Sequence, residues 1–148
     1  MEGCFLKKLF PLYILVSLIL LACQTQEEPA PKLPDYKPSE DDIVSMHGEI
    51  QNLDRFNSFI VHVQQGRKDT IRVVSYTEEG APILHDLEYD GQVIHSILDT
   101  RRDGFGAGMI EERECKSVDI EKGKKQSNYT LTGCGWKKED YSILIISK

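Results

Sequence analysis

Residues 82–100 read PILHDLEYDGQVIHSILDT. Two apolar, β-branched runs, 83–89 and 92–100, flank Asp90-Gly91, a dipeptide suited to the left-handed backbone of a two-residue hairpin turn. Closed by that turn, Tyr89 faces Gln92, Leu87 faces Ile94 and Asp86 faces His95. One face of the hairpin then carries Ile83, His85, Leu87, Tyr89, Ile94, Ser96 and Leu98. The other carries Leu84, Asp86, Glu88, Val93, His95 and Ile97. The first face is the more apolar and is expected to meet the core.

Working outward, Thr70–Thr77 (TIRVVSYT) reads as a strand, turned by Glu78-Glu79-Gly80-Ala81-Pro82. Met109–Ile120, Gln126–Gly133 and Tyr141–Ser147 complete a set of six. All connections are short, so sequential antiparallel pairing is the simplest topology. Upstream, Leu53, Phe56, Phe59, Ile60 and Val63 form an apolar stripe at helical spacing, beginning near Asn52 and stopped by Gly66. Ser39-Glu40-Asp41-Asp42 looks like a helix cap, which predicts one or two helical turns over Ile43–Met46 before Gly48 interrupts them. The expected class is α+β: an N-terminal helix packed on an antiparallel β-sheet of about five to six strands in mainly meander order, all in a single domain, 39–148.

The N-terminus reads as an address. Lys7 and Lys8 precede the apolar run LFPLYILVSLILL, 13 residues from Leu9 to Leu21. A bilayer-spanning helix needs roughly 20 apolar residues, so the run has the length of a secretory signal instead. Leu20-Leu21-Ala22-Cys23 resembles the lipobox of bacterial prolipoproteins. That likeness implies a signal peptide over 1–22, with cleavage after Ala22 and a diacylglyceryl group on the sulfur of Cys23. The product is a palmitate-bearing lipoprotein on the extracytoplasmic face of the cell membrane. Gln24–Pro38, with prolines at 29, 31, 34 and 38, reads as an extended tether behind the lipidated cysteine (23–38).

Charge narrows the function classes. The chain carries −6, and the first 22 residues contribute +1 through Glu2, Lys7 and Lys8, leaving −7 on the remainder. Such a chain lacks the basic footprint of a nucleic-acid binder. Anionic lipid headgroups also repel it, so the lipid on Cys23 must hold it at the membrane. Of four cysteines, Cys4 leaves with the signal and Cys23 takes the lipid. Cys115 and Cys134 remain, in a compartment where disulfides persist. A catalytic thiol and a metal pair are the competing readings, and neither has the Cys-x-x-Cys or His-x₃-His spacing it needs. If the two cysteines face each other on neighbouring strands, Val118 meets Leu131 and Ile120 meets Tyr129, which gathers four apolar residues on one face.

Several segments together resemble one family. They are Asp42-Ile43-Val44 through His47-Gly48, Asn52-Leu53, Tyr76-Thr77-Glu78-Glu79-Gly80, Pro82-Ile83, Asp99-Thr100-Arg101, Cys115-Lys116-Ser117 and Leu131-Thr132-Gly133-Cys134. Over roughly 41–135 the chain is similar to small lipoproteins of low-GC Gram-positive bacteria that carry domain of unknown function 4362. The resemblance implies an exported lipoprotein and the pairing of the two cysteines. It brings no activity with it.

Four histidines, at 47, 62, 85 and 95, raise a metal hypothesis. The hairpin places His85 and His95 on opposite faces, so each reads better as a satisfied or solvated side chain and no metal or other cofactor is expected. His95 opposite Asp86 makes a cross-strand ion pair. No Gly-x-Ser-x-Gly signature supports a nucleophile. The most unusual stretch is Arg101-Arg102-Asp103-Gly104-Phe105-Gly106-Ala107-Gly108. Its arginines suit a carboxylate or phosphate partner, and Phe105 supplies an apolar anchor. The plain alternative is a flexible strand connection. The resulting expectation is a non-catalytic binding module of the cell envelope, contacting an unidentified envelope ligand or protein through Arg101, Arg102 and Phe105. A small surface enzyme is the alternative.

Overall fold

A computed structural model describes residues 33–106, 108–135 and 141–147. Residues 1–32, which hold the expected signal peptide, Cys23 and most of the expected tether, lie outside the described residues. Within them, nine strands and one helix follow the order β1 (Ile43–Met46), β2 (Glu49–Gln51), α1 (Leu53–Gln64), β3 (Asp69–Tyr76), β4 (Pro82–Tyr89), β5 (Ile94–Asp99), β6 (Ile110–Cys115), β7 (Ser117–Lys122), β8 (Gln126–Thr132) and β9 (Tyr141–Ser147). They build two sheets. Sheet A runs β2-β1-β3-β4-β5-β6 and sheet B runs β7-β8-β9.

This mostly β arrangement, with one 12-residue helix that follows two strands, overturns the expected α+β class of an N-terminal helix on a single meander sheet, in three places. The first is Ile43–Met46, which is a strand rather than helical turns. Ile43 and Val44 are β-branched and fully or nearly buried, and His47 (φ 52°) and Gly48 (φ 87°) close a two-residue turn onto β2. Asp42 does not cap a helix; its carboxylate accepts the Ser39 N–H and the Tyr36 hydroxyl. The second is the order of sheet A. β1 lies parallel to β3, with Ile43 beside Val73, and α1 lies in the crossover between them. The third is the run Met109–Ile120, which breaks at Lys116, so that β6 ends sheet A and β7 opens sheet B. Burial of Cys115 at 0% and its bond to Cys134 fix the break where the chain leaves one sheet for the other.

The helix has the predicted stripe and stop. Phe56, Phe59 and Ile60 are buried, and Leu53 and Val63 flank them. Gly66 (φ 67°) donates to Val63 O and Arg67 to His62 O, a Schellman closure that needs the left-handed residue glycine supplies.

Residues 82–100 form a hairpin, with a longer turn than Asp90-Gly91 alone. Tyr89 pairs with Ile94 and Leu87 with Ser96, so Asp90–Val93 form the loop. The Asp90 carboxylate accepts the Gln92 and Val93 N–H groups and satisfies it. The register is two residues away from the expected one. A shift of two preserves side-chain parity, so the face carrying His85, Leu87, Tyr89, Ile94 and Ser96 is still the core face, with these five buried.

That face, the helix and sheet B share one core. Phe56 meets the Tyr129 ring edge-on at 5.0 Å. In sheet B, Val118 faces Leu131 and Ile120 faces Tyr129, the pairs expected from the cysteine register. A bulge opposite Tyr129/Thr130 lets two consecutive residues, Ile143 and Leu144, both face inward. Arg113 on β6 donates to Tyr141 on β9 and lies over its ring, a second link between the sheets beside the disulfide.

Candidate functional site

Strand directions gather three turns at one end of sheet A. β1, β3 and β5 all finish there, at Met46, Tyr76 and Asp99. The β5–β6 connection is the longest of the three. It is pinned at its base by paired bonds between Thr100 and Met109, and held from within by Asp99. Asp99 takes the Arg101 guanidinium in a two-pronged contact at 2.8 and 2.9 Å and Arg102 at 3.3 Å. The Arg101 hydrogen bond, more than the slight burial opposing it, holds the Asp99 carboxyl down at about 2.

The three residues singled out in this loop therefore behave differently. Arg101 and Arg102 already have a carboxylate partner within the chain. Arg102 also donates to Pro34 O at 3.4 Å and lies 5.7 Å from the Tyr36 ring centre. Phe105 is 84% exposed, and Met109 (46%) and Ile110 (45%) are exposed four and five positions on, at the base of the connection. Cys115 and Cys134 are joined. Cys23 lies outside the described residues.

Sequence reasoning missed a second feature on the outer face. Tyr36, assigned to the tether, is held between Arg72 and Arg102, both 5.7 Å from its ring centre. Its hydroxyl donates to Asp42 at 2.5 Å and accepts from Arg72 at 3.2 Å. Burial pushes the Asp42 carboxyl up, but the Tyr36 and Ser39 hydrogen bonds outweigh it and hold the group below its ordinary range. The Asn52 side chain donates to Glu40 O and Asp42 O, both at 2.7 Å, and fastens the far end of the segment. The one available signal was a lone aromatic among prolines. Beside this strap a cleft of about 430 Å³ is lined by Asp42, Arg72, Asp86, Glu88 and His95 among others. Its central charges are engaged with one another: Arg72 grips Asp86 at 2.5 and 2.8 Å.

The histidines fall in four settings. His47 sits in the β1–β2 turn. His62 Nδ1 lies 2.7 Å from Asp69, which Arg55 also grips at 2.6 and 3.0 Å. Burial raises the Asp69 carboxyl, and the bonds from Arg55 and His62 more than reverse it. His85 faces the core and His95 the outer face. His95 stands opposite Glu88 and Glu114, not Asp86, and lies 3.6 Å from both Asp90 and Glu114. The longer hairpin loop displaced the expected pair, and Asp86 turned to Arg72. Among the described residues no group of three or more His, Cys, Asp or Glu side chains is placed to hold a metal ion.

Comparison with known proteins matches one family model, described as Domain of unknown function (DUF4362), over residues 40–130. No curated protein and no solved structure matches the chain. The matched span opens just before β1 and closes within β8, so it takes in all of sheet A, the helix and the β5–β6 loop.

Proposed function

We propose, for a chain that belongs to the family of the domain of unknown function DUF4362, a role as a lipid-anchored, non-catalytic binding domain on the extracytoplasmic side of the membrane. The lipobox-like Leu20-Leu21-Ala22-Cys23 supports the anchor. The Cys115–Cys134 bond supports an oxidising compartment. The observation that carries the binding role is Phe105, the exposed aromatic side chain of the β5–β6 connection. Phe105 stands out from a loop that Asp99, Arg101 and Arg102 brace from inside, and Met109 and Ile110 are half-exposed at its base. A large apolar group on a preformed loop loses little conformational freedom on binding, so most of its contact energy survives as affinity. The arginines contribute by shaping the loop, since Asp99 occupies them.

Two variants test the two halves of this reading. Cys23→Ala removes the thiol that takes the lipid, and labelled palmitate persisting on that variant would refute the anchor. Phe105→Ala with Met109→Ala leaves the brace intact and removes two exposed apolar side chains of the connection. If the double variant keeps every membrane and envelope contact of the wild type at equal stability, the β5–β6 loop is only a connection.

A further inference from the structure

We infer that the open edge of β9 is a self-association site, where two copies of this chain pair antiparallel about Ile145. The pairing joins two three-stranded sheets B into one of six strands. It is independent of the anchor and of Phe105.

Four strands end the two sheets: β2 and β6 in sheet A, β7 and β9 in sheet B. An end strand presents unpaired N–H and C=O groups, and proteins guard such edges by shortness or by charge. β2 has three residues, one of them Glu49. β6 carries Glu111, Glu112, Arg113 and Glu114, and β7 carries Asp119, Glu121 and Lys122. β9 reads YSILIIS, seven residues without a charge. Among the described residues it pairs with β8 alone, and none of its backbone groups bonds elsewhere. Its bulge lies at Ile143 and re-aims the strand only locally. Residues 144–147 therefore keep an uncharged edge in regular register.

Charge and symmetry select the occupant. The chain carries −6, so two copies repel each other over most of their surface. An uncharged strip is where they meet at least cost. A strand is its own antiparallel partner, because a two-fold axis offers the outward N–H groups of each copy to the carbonyls of the other. The core-facing sides of both sheets fall together only if that axis passes through a residue. Through Ile145, it sets Ile145 against its own mate and Leu144 against Ile146 of the second copy. Ile145 is 49% exposed and Ile146 half-buried, so both lose contact with water. Moving the axis by one residue sets Ile145 against the buried Ile143 or the polar Ser147 instead, and the match is lost.

Cysteine crosslinking of the full chain in the producing cells tests the pairing. Ile145→Cys places one thiol on each side of the axis, where opposed side chains come within about 5 Å. Glu121→Cys, exposed on β7, is the control, and the wild type is the blank for Cys4 and Cys23. Under mild oxidant we expect a 145–145 disulfide, identified by mass spectrometry, in about tenfold excess over a 121–121 disulfide. Sedimentation equilibrium of the purified full chain in neutral detergent supplies a readout without the probe. There Ile145→Lys sets two like charges face to face and should raise the dimer dissociation constant about tenfold. Ile145→Thr keeps a β-branched side chain and removes apolar contact, so it should weaken the dimer even if the lysine variant misfolds. A 145–145 yield no greater than the control, a monomer at every concentration, or a dimer that Ile145→Thr leaves unchanged overturns the inference. Adducts of the 145 thiol mainly with other proteins also overturn it, and assign the edge to a foreign strand.

Discussion

His85 Nε2 lies 2.7 Å from Ser96 Oγ on the core face of sheet A, with both residues buried. Burial disfavours the imidazolium and pushes the His85 pKa down from 6.5 to about 4. An unfolded chain then binds a proton that the folded one refuses, so stability rises with pH across that window and is lost as pH falls through it. At about 1.4 kcal/mol per pH unit the loss between pH 6.5 and 4 reaches about 3 kcal/mol. Urea unfolding at pH 7, 5.5 and 4 should show it, and His85→Gln should flatten the dependence. An equally steep profile in the variant would refute the assignment.

The Cys115–Cys134 bond closes a separation of 19 residues and ties the end of sheet A to the strand end of sheet B. Replacing both cysteines by alanine should cost about 3 kcal/mol on the chain-entropy account. Cys115 is fully buried, so alkylation after mild reduction should proceed only as fast as the domain opens. Non-reducing mass spectrometry showing two free thiols in exported protein would remove the basis of this expectation.

Asp69 receives both Arg55 and His62 from the helix, and its side chain is only 13% exposed. Asp69→Ala leaves both donors half-buried without their carboxylate, which should cost about 1–3 kcal/mol. The comparison with Asp69→Asn in thermal unfolding separates the charge from the hydrogen bonds. Equal stability of all three proteins would show that the trio does not tie α1 to β3.

His47 holds φ at 52° in a two-residue turn whose second residue is Gly48. Asparagine tolerates that left-handed backbone better than histidine, and a β-branched residue tolerates it least. His47→Asn should therefore stabilise by up to about 1 kcal/mol, and His47→Val should destabilise by a comparable amount. Denaturant midpoints that rank Val above His would contradict the turn geometry.

Legibility followed the range of the interaction. The apolar stripe of α1, its stop at Gly66 and the runs of β3, β4, β8 and β9 are local periodicities, and they coincide with the elements found. The core face of the central hairpin was also legible, although its register was not. Parity depends only on alternation, whereas register depends on loop closure, and the Asp90 carboxylate favoured a four-residue loop. The two-residue turn formed instead at His47-Gly48, where the acidic run before Ile43 looks like a helix start. At the candidate site, exposure of Phe105 followed from local polarity. The pairing of Arg101 and Arg102 with Asp99 was hidden in plain spacing, because it needs the backbone to turn at Thr100.

By itself the sequence determined which residues alternate inward, which helix covers them and which two cysteines meet, since each of these rests on composition or a period of a few residues. Only the tertiary structure decided that β1 lies parallel to β3, that the chain changes sheets at Lys116, and that Tyr36 straps the entering segment across the outer face. Those choices join residues as much as 68 positions apart, and they depend on which buried surfaces and charges find partners once the whole chain has collapsed.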